Sequence, residues 1–240
     1  GMQSASSSFP CIYCEKEKKT FGDVQGYIDE ESNENELEGC LRTLGSIRMN
    51  AQHCKEKRVL SNVKSFSAKE FKSCVAKPLF NYDDELLVLD LVPPMELHLL
   101  LGVVNRLYDY MDKALAAAGM SVTSKDWSDM LFLSRRHYHG GQFIGNHCSK
   151  LLDEVDSLEM LLIKAEAFIG IPYVEAFRAF KQVKDSCFGF NLTPGYEIAI
   201  KDFISAYLKL GIPVSLKVHI IFEHIIPFCE KNNKGLGWFS

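Results

Sequence analysis

With 240 residues, 47% of them hydrophobic, the chain has enough apolar material for a packed core, as one large domain or two small ones. A formal charge of −4 excludes a protein that coats nucleic acid through bulk charge, so any DNA contact must be regional. No apolar run of about eighteen residues occurs, and no charged segment precedes an apolar one as in a signal peptide. A soluble, intracellular protein without a membrane partner is therefore expected.

In chain order, residues 1–10 read as a tag remnant and mobile, Ser-rich leader, since Gly1 precedes Met2. Cys11 and Cys14 follow in "CIYC", and from there to 240 the chain reads as a single domain. Residues 29–38, "DEESNENELE", read as a solvated acidic loop. The run "FSAKEFKSC" suggests a short helix over 66–74 with Ser67 as cap, Phe66, Phe71 and Cys74 inward, and Pro78 as its stop. Residues 79–92 contain "ELLVLDLV", which fits a strand or an extended connector. The strongest helix starts at Pro93 and Pro94 and ends at Gly119. Leu97, Leu100, Leu101, Val104, Leu107, Tyr108, Met111 and Leu115 form its expected buried face. Further helices are expected at about 124–136, 146–155, 157–168, 171–184, 195–210 and 214–230. The fold class is mainly α.

Of the eight cysteines, only Cys11 and Cys14 have metal-ligand spacing. Cys40, Cys54, Cys74, Cys148, Cys187 and Cys229 read as small buried hydrophobes in a reducing compartment. At the other end, "HIIFEH" places His219 and His224 five residues apart, and together the four side chains make a natural tetrahedral zinc set. Five residues turn about 500° on a regular helix, leaving the histidines about 140° apart. A distortion near His224 is therefore expected, with Pro227 crowding the carbonyl of Glu223 as its cause. Closing a loop of about two hundred residues costs about 5 kcal/mol, which structural zinc at about 10–16 kcal/mol can offset. His53, His137, His139 and His147 are competing candidates for the zinc, and His98 reads as a core residue of the long helix. "HIIFEH" matches neither H-E-x-x-H nor H-x-x-E-H, so Glu223 is not placed as a zincin base.

These residues resemble a known family, the catalytic proteins of Transib-type DNA transposases and their relative, the catalytic subunit of the V(D)J recombinase. The likeness runs from Cys11 onward through "LGSIRMNAQ" at 44–52, "CVAKPLF" at 74–80, "MELHLLLGVVNRLYDYM" at 95–111 and "YHGGQFIGNHCSKLL" at 138–152. It closes with the H-x4-H and "GLGWFS". The resemblance implies a ribonuclease-H-like fold whose Asp-Asp-Glu triad holds two Mg²⁺ or Mn²⁺ ions in the parent catalytic domain. It also implies a helical insertion whose zinc takes two cysteines from its beginning and two histidines from its end, matching Cys11, Cys14, His219 and His224. The catalytic Glu would then follow Ser240 and the second Asp would precede Cys11, so the chain is expected to be the insertion and to be non-catalytic alone. A nuclear location, transposon-end or target DNA, the remaining catalytic domain and a homodimeric parent are the partners and setting so implied.

"SRRHYHGGQF" is the best local candidate for DNA contact, because Arg135, Arg136, His137 and His139 adjoin Gly140 and Gly141, where backbone can approach a phosphate. A solvated turn is the plainer reading of the same residues. Lys64, Lys69, Lys72 and Lys77 form a second, weaker basic stretch. The alternative function is a protein-interaction module of a domesticated transposon remnant that retains zinc without strand transfer. Asp83, Asp84 and Glu85 are adjacent acids read as a solvated loop.

Overall fold

A computed structural model describes residues 2, 6–19, 24, 41–60, 67–136 and 140–239. The expected acidic loop at 29–38, Cys40, Lys64, Phe66, His137, His139 and Ser240 lie outside the described residues. Among the described residues the chain is mainly helical, and β pairing is limited to isolated bridges. It divides into two compact units, Gly1–Pro93 with Pro213–His224, and Pro94–Ile212 with Ile225–Ser240.

The first unit is built around helix α1 (Leu44–Leu60) and a set of short backbone pairings. Thr43 caps α1, its Oγ1 accepting from the backbone N–H of Ser46 at 3.0 Å. Buried Leu44, Ile47, Ala51 and Cys54 give α1 one narrow apolar stripe. Antiparallel bridges join Cys14 to Leu41 and Thr43 to Leu87. Residues 79–92 form no strand beyond that bridge. They run as irregular backbone into the single helical turn α2 (Val88–Leu91), with Gly45 N–H donating to Asp84 O at 2.9 Å. A Cβ on Gly45 would stand 2.9 Å from Asp84 Cβ, so that approach needs glycine.

The helix expected over 66–74 is only a 3₁₀ turn, Lys69–Phe71. Its end comes from Lys72 and Ser73, both left-handed at φ 50° and 62°, and not from Pro78. Ser67 is not the cap that the sequence suggested: Ala68 holds that position without a side-chain bond, and Ser67 Oγ accepts from Lys69 N–H at 3.3 Å as a local turn contact. Within the leader, Phe9 is buried, and its N–H donates to Ser73 Oγ at 3.2 Å.

The second unit is a helical body with an aromatic core. Helix α3 (Glu96–Ala117) begins after Met95, two residues later than Pro93 and Pro94 suggested, and Gly119 follows it at φ 66°. Leu99, Leu100, Val103, Val104, Leu107, Tyr108, Met111 and Leu115 are buried. Leu97 is exposed and Leu101 half-buried, so the inward face is rotated from the expected one; His98 is exposed and not a core residue. Helix α4 (Ser124–Met130) is shorter than its expected 124–136, because Leu131 caps it and Phe132 turns left-handed at φ 57°. Helices α5 (Gly145–Asp153), α6 (Val155–Lys164), α7 (Ile171–Val183) and α8 (Tyr196–Lys209) fall within a few residues of expectation. Helix α9 (Leu216–Asn232) runs from the first unit into the second.

Trp127, Phe143, Phe177, Phe180, Phe203 and Tyr207 are fully buried in the second unit. Phe180 and Phe203 stack obliquely at 5.0 Å, and Trp127 meets Phe177 edge-on at 5.6 Å. Asn105, the buried polar residue of α3, is satisfied: its Oδ1 accepts from Phe143 N–H at 2.8 Å and its Nδ2 donates to Leu101 O at 2.9 Å.

Candidate metal centre

Four side chains of the first unit meet at one point. Cys11 and Cys14 come from the segment after the leader, while His219 and His224 come from α9. One ligand atom from each lies within 4.8 Å of the other three, and all four residues are buried, none more than 1% exposed. Cys11 Sγ is 3.3 Å from His224 Nε2, and Cys14 Sγ is 3.3 Å from His219 Nε2, across 213 and 205 positions of sequence. Tetrahedral zinc with ordinary bond lengths sets sulfur and nitrogen about 3.6 Å apart. The donor set and its spacing therefore fit a four-coordinate metal ion, and this is the one such group among the described residues.

The two rings converge within one continuous helical segment that includes Pro227. Helix α9 is helical from Leu216 to Asn232, with Pro227 inside it. The ring centroids lie 5.1 Å apart at 83°, each Nε2, the atom farthest out on the side chain, reaching its own cysteine. An internal proline costs about 3 kcal/mol. Burial of Val218, Ile221 and Phe222 before it, and of Ile225 and Phe228 around it, contributes about 1.5–3 kcal/mol per side chain and outweighs that cost.

Several contacts set the ligands in place. Tyr13 meets the His224 ring edge-on at 5.2 Å, and its N–H points at Cys11 Sγ at 3.4 Å. Lys16 Nζ donates to Glu223 Oε1 at 3.1 Å, tying the segment beyond Cys14 to the turn of α9 between the two histidines. Arg42, fully buried, donates from Nε to Cys11 O at 3.0 Å and Cys14 O at 2.8 Å. Burial raises the Cys11 thiol, but a hydrogen bond from Cys14, the N–H groups of Tyr13 and Cys14 and the Arg42 charge outweigh it and hold Cys11 below its ordinary pKa. Cys14 is pushed up as the donor in that bond and by burial, against the pull of both histidines.

The remaining sequence candidates behave differently. Arg135 pairs with Asp109 and stacks over Tyr108 and Phe143, 4.7 Å and 5.3 Å from the ring centres. Arg136 is exposed, and its backbone pairs with Gln142. Gly140 and Gly141 both have positive φ, as a tight turn requires. Lys69 pairs with Glu17, and Lys72 lies over Phe9, so part of the second basic stretch is internally engaged. Asp84 is held by Arg48, and Asp83 Oδ1 accepts from Glu85 N–H at 3.0 Å. His53 is exposed and His147 half-buried, both away from the cluster. Cys54, Cys74, Cys148, Cys187 and Cys229 are buried free thiols, with burial raising Cys148 and Cys229 to about 12. The residues that sequence reasoning missed are Arg42, Lys16 and Glu223; the position of Glu223 between two ligands was the only available signal.

No helix among the described residues is long and apolar enough to cross a membrane. In comparisons with known proteins, no family profile matches the chain and no curated protein matches it significantly.

Proposed function

We propose that the chain is the zinc-stabilised helical insertion of a ribonuclease-H-like, Asp-Asp-Glu DNA transposase or recombinase acting in the nucleus. The observation that supports it is the buried Cys11–Cys14–His219–His224 cluster, which joins a segment near the start of the chain to a helix near its end. Two thiolates and two imidazoles favour zinc, and four protein ligands leave no open position, so the ion acts on architecture and not on substrate. Bound there, zinc supplies a cross-link. The chain's own residues do the rest: Lys16 and Glu223 clamp the two segments, Tyr13 packs the ring of His224, and Arg42 holds the cysteine loop. In the parent protein this clamp fixes the exit of the insertion beside its entrance, delivering the Glu expected beyond Ser240 to the active site at fixed geometry.

Arg136, with the glycine turn beside it, is the better candidate for phosphate contact, since Arg135 is already engaged by Asp109 and two aromatic faces. Elemental analysis should find one zinc per chain, lost in Cys11→Ser and in His224→Ala; full retention in both removes the metal assignment. The parent reading is tested in the longer reading frame. Replacing a Glu just after Ser240 by Gln should abolish Mg²⁺-dependent strand cleavage by the full protein while leaving bound zinc unchanged. Absence of a Glu there, or cleavage that survives its loss, removes the transposase reading.

A further inference from the structure

We propose that Arg42 is the positioning residue of the metal centre, setting the cysteine loop in ligand-ready form before an ion arrives. The inference rests on the reading of the cluster as a metal site. Three carbonyls of one short loop accept from this single residue. Arg42 Nε donates to Cys11 O at 3.0 Å and to Cys14 O at 2.8 Å, and the backbone N–H of Arg42 donates to Tyr13 O at 2.8 Å. With those carbonyls turned toward Arg42, the Tyr13 N–H is left facing Cys11 Sγ at 3.4 Å. One side chain thereby fixes the orientation of both ligating residues.

The rest of the guanidinium is anchored away from the loop. Nη2 donates to Lys72 O at 2.9 Å, Nη1 lies 3.4 Å from Cys74 Sγ, and Glu15 Oε1 stands 3.6 Å from Nη1 as the counter-charge. The carbonyl of Lys72 reaches this position from a strained turn. Lys72 and Ser73 are consecutive non-glycine residues at φ 50° and 62°, a conformation costing about 1–2 kcal/mol per residue. Such strain persists only where the surroundings over-determine it. Here Arg42 holds Lys72 O, while Phe9 N–H donates to Ser73 Oγ.

A fully buried guanidinium is itself costly to desolvate, and a hydrophobic residue of similar size would fill the volume more cheaply. What a hydrophobe cannot do is bind three carbonyls on two separate backbone segments through a planar fork, and lysine, a point donor, cannot reproduce the fork either. Outer partners that orient metal ligands typically carry 10–100-fold in metal affinity. That is the size expected here.

The test uses the full chain with Co²⁺ and Zn²⁺ as probes. In chelator-treated wild type, the Nε–H resonance of Arg42 should stay protected from solvent exchange, as it is in the zinc-loaded protein. Arg42→Lys should bind Co²⁺ about 10–100-fold more weakly, with its thiolate-to-cobalt charge-transfer band displaced from the wild-type energy at saturation. Loss of Nε–H protection on metal removal overturns the proposal, because the ion then organises the arginine. Unchanged affinity and spectrum in Arg42→Lys overturn it too, as does weakened binding with a wild-type spectrum, which marks a role in folding alone. If Arg42→Lys fails to fold, the wild-type resonance decides. Failure of the metal reading is separate and visible: wild type then gives no Co²⁺ spectrum and takes up no Zn²⁺.

Discussion

Polar side chains have opposite uses in the two compact units of this chain. In Pro94–Ile212 with Ile225–Ser240, they decorate an aromatic core: Asn105 is satisfied by Phe143, Tyr108 by Ser128 at 2.9 Å, and Trp127 by Ser157 at 3.1 Å. Loss of any one of those bonds is expected to leave the helices packed. In Gly1–Pro93 with Pro213–His224, polar groups sit inside the core. Arg42, Ser73, His219 and His224 are fully buried there, beside Cys11 and Cys14, and the apolar residues around them come from α1, from the start of α9 and from short, irregular segments. The difference teaches where each unit is vulnerable: the second to loss of volume, the first to loss of a charge, a ligand or an ion.

Metal removal should therefore separate the units most sharply. Structural zinc is worth about 10–16 kcal/mol, comparable to the whole stability of a small domain, so its removal should leave the first unit folded but marginal. Chelation should then lower the temperature at which amide protection is lost at 41–60 and 67–74 while that of 96–209 is unchanged, read by hydrogen exchange with mass spectrometry. Equal loss in both regions breaks the comparison.

The reciprocal experiment is Phe180→Ala. Phe180 is fully buried in the second unit, against Phe203 at 5.0 Å and Phe188 at 5.9 Å. A cavity of that size costs about 3–5 kcal/mol. The unfolding free energy of α3 to α8, from denaturant titration followed by circular dichroism, should fall by that amount, with zinc affinity by chelator competition unchanged. A comparable fall in zinc affinity would show that the units do not separate in the way proposed.

The second unit was largely legible in the sequence because its helices carry wide apolar faces, the longest closed by Gly119. The face of α3 was still misplaced by part of a turn, since Leu97 is exposed while Leu99 and Val103 are buried. The first unit was legible only at its ligands, whose spacing is chemical and not periodic. Helix α1 went unseen because its stripe, Leu44, Ile47, Ala51 and Cys54, is narrow and partly made of small residues among polar ones. Arg42 could not be found at all: its acceptors include three backbone carbonyls, and no residue type in the sequence marks where a carbonyl will point.

A smaller effect is expected where the end of the chain lies on the second unit. Gly235 N–H donates to Phe190 O at 3.1 Å, and a Cβ there would stand 2.1 Å from Gly189 O. The obstacle is backbone, which cannot rotate away. Gly235→Ala should cost about 1–3 kcal/mol as an overpacking change, read as a lower thermal midpoint of the second unit with zinc content intact. An unshifted midpoint would mean that the terminal segment contributes nothing to that unit.

The smallest effect tests whether a surface polar pair in the second unit is as dispensable as the comparison requires. Thr123 and Asp126 form a reciprocal capping box at the start of α4: Thr123 N–H donates to Asp126 Oδ2 at 2.7 Å, and Asp126 N–H points at Thr123 Oγ1 at 3.4 Å. Hydrogen bonds from Thr123, first its backbone N–H and then its side chain, hold the Asp126 carboxyl below its ordinary pKa. A carboxyl depressed in the folded state stabilises that state fully above its unfolded value, near 3.8, and the contribution is lost as pH falls through the folded value. Asp126→Asn should thus lower stability by about 1 kcal/mol or less at neutral pH, the usual worth of an exposed cap. The gap should close as the pH is taken below the ordinary carboxylate range, where wild-type Asp126 is itself protonated. Denaturant titrations of both proteins at neutral and at acid pH measure it, and a gap that persists undiminished in acid would show that the cap acts through shape and not through charge.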